Sequence, residues 1–198
     1  MSRDFMAARF STLTRLVTLA SVAALFVITA SAQQTIDATA TGTGTQLGHP
    51  TNIRLIINSF STPEDRETFK QAFLTGQNNG LVEALRRARS VGRITLPGTV
   101  GFDVSYISQV PTPTGRKITF VTNRRIAIGE AANNTRSRSF NLTGGEITID
   151  DSNSSNSSGV LYPAAQLIIN VDGDLQVELR QNPWRLNNII VRGTVASQ

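Results

Sequence analysis

The amino-acid sequence predicts an α+β domain, in which an antiparallel β-meander carries one helical hairpin after its first strand. The meander can curl into a half-barrel or a barrel-like shape, and the sequence does not decide between them. Three observations lead to this prediction. Apolar residues fall on both alternating faces of a short segment, residues 53–60. Apolar residues then recur at helical spacing over residues 62–90, and from Arg93 onward the spacing changes to two, with turn residues between short apolar segments. Consecutive short strands joined by turns are typical of antiparallel sheets rather than of β-α-β units.

The first 32 residues have the three parts of a secretory signal peptide of bacterial type. Three arginines precede an apolar segment, residues 16–32, which ends in the small residues Ala30, Ser31 and Ala32. This segment is at the short limit of the roughly 20 residues that cross a membrane as a helix. We therefore expect cleavage after Ala32, export to the periplasm or the medium, and no membrane span in the mature protein. An uncleaved anchor helix is the alternative.

Composition sets bounds on the mature chain. The full sequence has 19 Lys and Arg against 14 Asp and Glu, and loss of residues 1–32 leaves 16 against 13. A charge this small, without a concentrated basic stripe, does not predict nucleic-acid binding. The remaining 166 residues suffice for one domain, and its stability must come from packing alone because the chain has no cysteine. The predicted organisation is a signal peptide (1–32), a flexible leader (33–50) and a single α+β domain (51–198).

The elements follow in order. Residues 33–50 are rich in Thr, Ala and Gly, which predicts a flexible leader. Residues 53–60 predict a strand covered on both faces. Thr62, Pro63 and Asp65 then predict a helix start, because a hydroxyl caps the first turn and proline suits the first helical position.

The predicted hairpin consists of two short helices. The first runs from Thr62 to Gly76, and the second runs from about Gly80 to Ser90. Each has an apolar stripe, formed by Phe69, Ala72 and Phe73 in the first helix and by Leu81, Ala84, Leu85 and Ala88 in the second. We expect the hairpin to lie on the sheet.

The rest of the chain predicts the meander. Phe102, Val104 and Tyr106 alternate with polar residues, as in a half-buried strand. Asp172-Gly173 predicts a tight hairpin turn, and the polar segment 150–159 predicts a solvated hairpin tip. Further strands are predicted over residues 94–96, 118–121, 140–142, 147–149, 160–171, 175–179 and 186–191.

Several kinds of chemistry lack the residues that they need. The chain has no cysteine, and its single histidine, His49, falls in the predicted leader. Thiol nucleophiles, zinc sites and a Ser-His-Asp triad are therefore not expected. The sequence also lacks the glycine-rich motifs that bind nucleotides. We predict no catalytic residue, no metal site and no cofactor.

Two weaker patterns involve acidic residues. Asp151, Asn153 and Ser155, preceded by Asp150, resemble the opening of a calcium loop, but Asn156 and Tyr162 replace the glycine and the acidic residue that such a loop requires. A pair of carboxylates could support glycoside hydrolysis, and the available acids are Asp103, Glu130, Glu146, Asp172 and Glu178. Acids at turns and on polar strand faces are usually only solvated.

The predicted ligand site lies in the basic segment 115–139. Arg116 and Lys117 begin this segment, and arginine forks bind carboxylates and phosphates with two hydrogen bonds. The loop from Gly129 to Ser139 is longer than a hairpin needs, as loops that carry sites often are. The alternative is that these arginines flank strands and pair with acids. The predicted site residues are Arg124, Arg125, Glu130, Arg136 and Arg138.

Five phrases occur in a recognisable order: INSFSTPEDRETFKQAF, ALRRARSVGRITLPGTVGFDVSYI, TGRKITFVTNRRIAIGEA, LYPAAQLIINVDGDLQVEL and NPWRLNNI. Together they resemble an uncharacterised family of exported bacterial proteins, over about residues 51–192. The resemblance implies export and a single domain beginning near Thr51. It carries over no functional residue, since none of the phrases is a catalytic motif.

The preferred hypothesis is an exported non-enzymatic domain that binds a small or anionic ligand, or a protein of the cell envelope. The first alternative is a carboxylate-dependent hydrolase acting outside the cytoplasm, which would need Glu130 and an aspartate on a strand. The second alternative is a structural or assembly component of the envelope that uses exposed sheet edges.

Overall fold

A computed structural model describes residues 33–42, 49–126, 141–169, 175–177 and 183–195. Within these residues the strands are β1 (Gln34–Thr41), β2 (Thr51–Ile57), β3 (Gly92–Thr95), β4 (Phe102–Thr112), β5 (Gly115–Thr122), β6 (Leu142–Asp150), β7 (Ser158–Ala165), β8 (Leu167–Ile169), β9 (Leu175–Val177) and β10 (Trp184–Arg192). The helix α1 spans Pro63–Arg87, and a 3₁₀ turn spans Ser154–Asn156. The predicted signal peptide is outside the described residues. No helix in the described ranges is long and apolar enough to cross a membrane.

Eight of the strands form a closed barrel. Their order around it is β1-β10-β7-β6-β5-β4-β3-β2, and each pair of neighbours is antiparallel. The strands β8 and β9 form a separate two-stranded sheet. The predicted α+β class with antiparallel strands is therefore confirmed, and the sheet closes fully instead of stopping at a half-barrel.

The strand β1 corrects the predicted leader. Residues 34–41 pair with β2 on one side and with β10 on the other, so they close the barrel. Their side chains alternate between buried and half-buried, and Ile36, Ala38 and Ala40 point into the core. The prediction of a flexible segment is wrong here because alanine gives little hydrophobic signal, although a barrel interior needs small residues beside large ones. The folded domain therefore includes residues well before Thr51.

An ion cluster spans this closing seam. The Asp37 carboxylate on β1 accepts a hydrogen bond from Arg54 on β2 at 2.6 Å and another from Arg192 on β10. Hydrogen bonds from Arg54, and to a smaller extent from Arg192, hold the pKa of Asp37 below its usual value. The cluster joins three neighbouring strands and thus favours one register among them.

Apolar side chains fill the inside of the barrel. Phe120 and Trp184 are the largest, and both are almost fully buried. Gly145 makes room for Phe120, because a Cβ atom at this position would overlap with the phenyl ring. The aliphatic members include Ile36, Leu55, Ile57, Ile94, Val104, Ile107, Ile118, Ile147, Leu161 and Leu186. The barrel is thus a packed core, and the outer wall offers the more accessible surface.

The helix α1 begins as the sequence predicts. Thr62 caps it, accepting a hydrogen bond from the Asp65 amide while the Asp65 carboxylate accepts one from the Thr62 amide. The two predicted helices occur as one helical segment that is interrupted at Gln77, where φ is 51° and ψ is −146°. Gly80 lies against the carbonyl of Ala72, where a Cβ atom would not fit.

A second core joins α1 to the outside of the barrel. Phe69 meets Tyr106 of β4 edge to face, with ring centres 5.9 Å apart. Both halves of α1 contribute buried residues to the cluster, and its members are Phe69, Leu81, Val82, Leu85, Tyr106, Val121, Leu142, Tyr162, Ala165 and Leu167. The helical segment therefore covers one part of the barrel wall.

Two strand predictions need correction. Leu142 and the predicted strand 147–149 belong to one strand, β6, because its backbone pairs with β5 and β7 through the residues between them. The predicted strand 160–171 divides into β7 and β8. The predicted turn at Asp172-Gly173 lies outside the described residues, but the flanking β8 and β9 pair antiparallel, as such a turn requires.

Candidate functional site

The structure describes two residues of the predicted ligand site. Arg124 lies over the Phe102 ring, 5.0 Å from its centre, and donates a hydrogen bond to the Gly101 carbonyl at 3.3 Å. Arg125 is half-buried. The other three residues, Glu130, Arg136 and Arg138, lie outside the described residues. In the described part, the Arg124 guanidinium thus has intramolecular contacts that hold the end of β5 against the start of β4.

The first two basic residues of the same segment form ion pairs across strands. Arg116 contacts Asp151 at 2.9 Å, and Lys117 lies 3.9 Å from Glu146. Pairs of this kind on a protein surface contribute roughly 0–1 kcal/mol each. These two contacts fit the alternative interpretation, in which basic residues of the segment pair with acids beside the strands.

The acidic candidates in the described part also have partners. Asp103 lies 3.8 Å from Arg93, and Glu146 lies near Lys117. Glu130, Asp172 and Glu178 lie outside the described residues. Among the residues that are described, no group of three or more His, Asp or Glu could hold a metal ion.

Asp150 organises the turn between β6 and β7. Its carboxylate accepts hydrogen bonds from the Ser152 hydroxyl at 2.5 Å and from the amides of Ser152 and Asn153, each at 2.9 Å. These bonds, with that of the Ser152 hydroxyl the strongest, lower the pKa of Asp150 from 3.8 to about 2. The predicted solvated hairpin tip is confirmed, since residues 151–156 are exposed between two paired strands. The Asp150 carboxylate is thus directed to donors of its own turn, and Asp151, which would begin a calcium loop, pairs with Arg116 at 2.9 Å.

A cleft of about 580 Å³ lies where α1 meets the barrel wall. We call it the helix–barrel cleft. Its floor consists of buried residues, Phe69, Val91 and Ser105, and its sides are half-buried. Its rim consists of exposed residues, Thr68, Arg87 and Arg89. The half-buried lining residues include Phe60, Thr62, Asp65, Ala84 and Ala88.

Hydrogen bonds to the barrel position the segment that leads from β2 into α1. The amide of Ser59 donates to the Val91 carbonyl at 3.2 Å. The amide of Ser61 donates to the Ile107 carbonyl at 2.8 Å, and the Ile107 amide donates to the Ser61 hydroxyl at 3.1 Å. This short segment is thus held against β4 and places Phe60 in the wall of the cleft.

A β-bulge in β4 forms part of the floor. Val104 pairs with Thr122 and Tyr106 pairs with Val121, so Ser105 is the extra residue. Val104 packs inside the barrel, whereas Tyr106 packs under α1 on the outside. Bulges often redirect side chains beside functional sites. Ser105 lines the cleft with only 3% of its surface exposed.

The cleft lining has two basic residues, Arg87 and Arg89, and one acidic residue, Asp65. Arg87 is 3.9 Å from Glu83 and its side chain is 82% exposed. Arg89 is exposed and has no ion pair with the residues that the structure describes. The acid of the lining, Asp65, has one carboxylate oxygen bound to the Thr62 amide in the helix cap. The rim therefore favours a negatively charged group on a ligand.

Sequence reasoning missed this cleft. Its aromatic and aliphatic residues have the ordinary signature of a core, and Ser105 reads as the polar face of a strand. The bulge that buries Ser105 depends on pairing with β5, so no local pattern in the sequence of β4 predicts this bulge.

Comparisons of the chain with models of protein families, with curated proteins and with solved structures found no match. Its function is therefore inferred from its own geometry.

Proposed function

We propose that this chain is an exported, non-enzymatic binding protein that holds a small amphipathic anion in the helix–barrel cleft. The observation that carries the proposal is the cleft of about 580 Å³, which combines an apolar floor with two arginines at its rim. Small-molecule sites typically measure roughly 300–1,000 Å³ and have mostly apolar walls with a few polar groups.

The apolar part of the ligand would lie on Phe60, Phe69 and Val91, with Ala84 and Ala88 beside them. Burial of apolar surface contributes roughly 25 cal/mol per Å², so this contact supplies most of the affinity. The alanines support the proposal because their small side chains leave room between α1 and the barrel.

The anionic part would contact Arg87 and Arg89. A guanidinium group matches a carboxylate or phosphate with two parallel hydrogen bonds. Exposed ion pairs contribute roughly 0–1 kcal/mol, so we expect the arginines to set orientation and charge selectivity more than affinity.

We further infer that α1 works as a helical hairpin, with Gln77 at its tip and the cleft beside its open end. Two contacts support this. Gly80 lies against Ala72, eight residues earlier, whereas a straight helix rises about 12 Å over that length. Phe69 and Leu81 also belong to one buried cluster.

The closed barrel favours ligand binding over the assembly alternative. Among the described residues every barrel strand pairs with a neighbour on both sides, which leaves less unpaired strand edge for another chain than an open sheet would. The serines of the cleft also lack a nearby histidine base, since the single histidine, His49, contacts Pro50 and Thr51.

The test is titration of the mature protein with decanoate by calorimetry. We expect saturable binding by the wild type. Thr68→Trp should abolish it, because the indole ring extends from the exposed rim into the cleft. Arg89→Glu should weaken it about three- to tenfold, as removal and reversal of one exposed ion pair predict.

Arg185→Glu is the matched control, because Arg185 is an exposed arginine on β10 away from the cleft lining. It should bind decanoate like the wild type. If the wild type shows no saturable binding, or if the two Arg→Glu variants weaken it equally, the proposal is wrong.

A further inference from the structure

We infer that the ligand of the helix–barrel cleft carries a second polar group, a hydroxyl or carbonyl remote from its anionic end, which hydrogen-bonds to Ser105. This inference rests on the proposed function and narrows the ligand to a hydroxy- or oxo-substituted aliphatic anion.

Ser105 is the first reason. The residue is 3% exposed, and its hydroxyl makes no hydrogen bond to the described residues. Its oxygen is not one of their fully buried unpaired atoms, so it stays open to the cleft. A polar group that lines a cleft without a partner inside the protein can hydrogen-bond to water or to a bound molecule. Ser105 lines the floor of the cleft, where a bound molecule can supply the missing partner.

The bulge is the second, independent reason. With strict alternation along β4, Tyr106 would point into the barrel like Val104, but the extra residue places Tyr106 under α1. Two successive residues, Ser105 and Tyr106, are thus available to the outer face beside the helix. Bulges are over-represented beside active sites, where they redirect a side chain.

The position of the two polar regions defines the chemistry of the ligand. Arg87 and Arg89 are exposed at the rim, whereas Ser105 is buried in the floor. Between them lie apolar side chains, including Phe60 and Phe69. A matching molecule has an anionic group at one end, an aliphatic body, and a hydrogen-bonding group on the part that enters the cleft.

The experiment compares three probes by calorimetry: decanoate, 2-hydroxydecanoate and 10-hydroxydecanoate. In the wild type we expect 10-hydroxydecanoate to bind about three- to tenfold more tightly than decanoate, the effect of one buried hydrogen bond. The 2-hydroxy compound, whose hydroxyl stays beside the carboxylate, should show no such gain.

Ser105→Ala should remove the preference, so that it binds 10-hydroxydecanoate no more tightly than decanoate. Ser59→Ala, which removes another hydroxyl of the cleft lining, is the matched control and should keep the preference. The inference is wrong if the wild type binds all three probes equally, or if Ser105→Ala keeps the preference for 10-hydroxydecanoate. In either case, saturable binding of decanoate would still support the proposed function. If no probe binds at all, the proposed function itself fails, and this inference fails with it.

Discussion

Substitution of Ile36 tests whether β1 is an integral part of the barrel. Ile36 is 1% exposed, and its partners in the two neighbouring strands are Leu55 and Val191. Ile36→Ala removes three buried carbons at about 0.8 kcal/mol each, and the cavity left behind adds a further penalty. We expect the free energy of unfolding to fall by about 3–4 kcal/mol. For a domain of this size that corresponds to a melting temperature lower by roughly 6–16 °C.

The measurement is urea unfolding of the protein, followed by circular dichroism and repeated as a thermal melt. Thr35→Ala is the control, because Thr35 is a half-buried neighbour on the opposite face of the same strand. We expect it to change stability by less than about 1 kcal/mol. If Ile36→Ala lowers the free energy of unfolding no more than Thr35→Ala does, then residues 34–41 do not close the barrel, and the description of β1 is wrong.

Three further predictions concern backbone conformation, packing and pH. Gln77→Gly should raise the free energy of unfolding by about 1 kcal/mol, because Gln77 has φ 51° and glycine adopts positive φ without steric cost; an unchanged or lower urea midpoint would contradict this. Gly145→Ala should destabilise the barrel by roughly 1–3 kcal/mol, because the added methyl group overlaps with the Phe120 ring. A melting temperature equal to or above that of the wild type would show that the ring has room to move. The Asp150 carboxylate, with its pKa lowered from 3.8 to about 2, contributes stability that is complete above pH 3.8 and is lost as the pH falls toward about 2. The stability difference between the wild type and Asp150→Asn, measured by urea unfolding, should therefore shrink across that interval; a difference that stays constant would refute the assignment.

Local features of the sequence predicted several parts of the fold correctly. The start of α1 follows from Thr62, Pro63 and Asp65, because capping needs only residues that are close in the chain. The antiparallel strands follow from the period of two and from turn residues, which are local as well. The interruption of α1 near Gly76 was also predicted to within one residue, at Gln77.

The candidate site was less predictable. The basic segment predicted Arg124 as a site residue. In the structure its guanidinium lies over the Phe102 ring and donates a hydrogen bond to the Gly101 carbonyl. The cleft instead combines the segment between β2 and α1, both ends of α1 and the bulge of β4. These pieces become neighbours only through pairings such as Ser61 with Ile107, which are 46 residues apart in the chain.

The amino-acid sequence alone determined the antiparallel strand pattern, the helical segment after residue 62 and the chemistry that is missing, since a chain without cysteine and with one histidine lacks the side chains for thiol or His-pair sites. Only the tertiary structure decided that the barrel closes and that Ser105 is buried beside α1. Closure joins Thr35 to Arg192, and the bulge exists only in register with β5. Both depend on hydrogen bonds between distant segments, and the free energy of such pairing depends on the shape of the whole sheet rather than on any one stretch of residues.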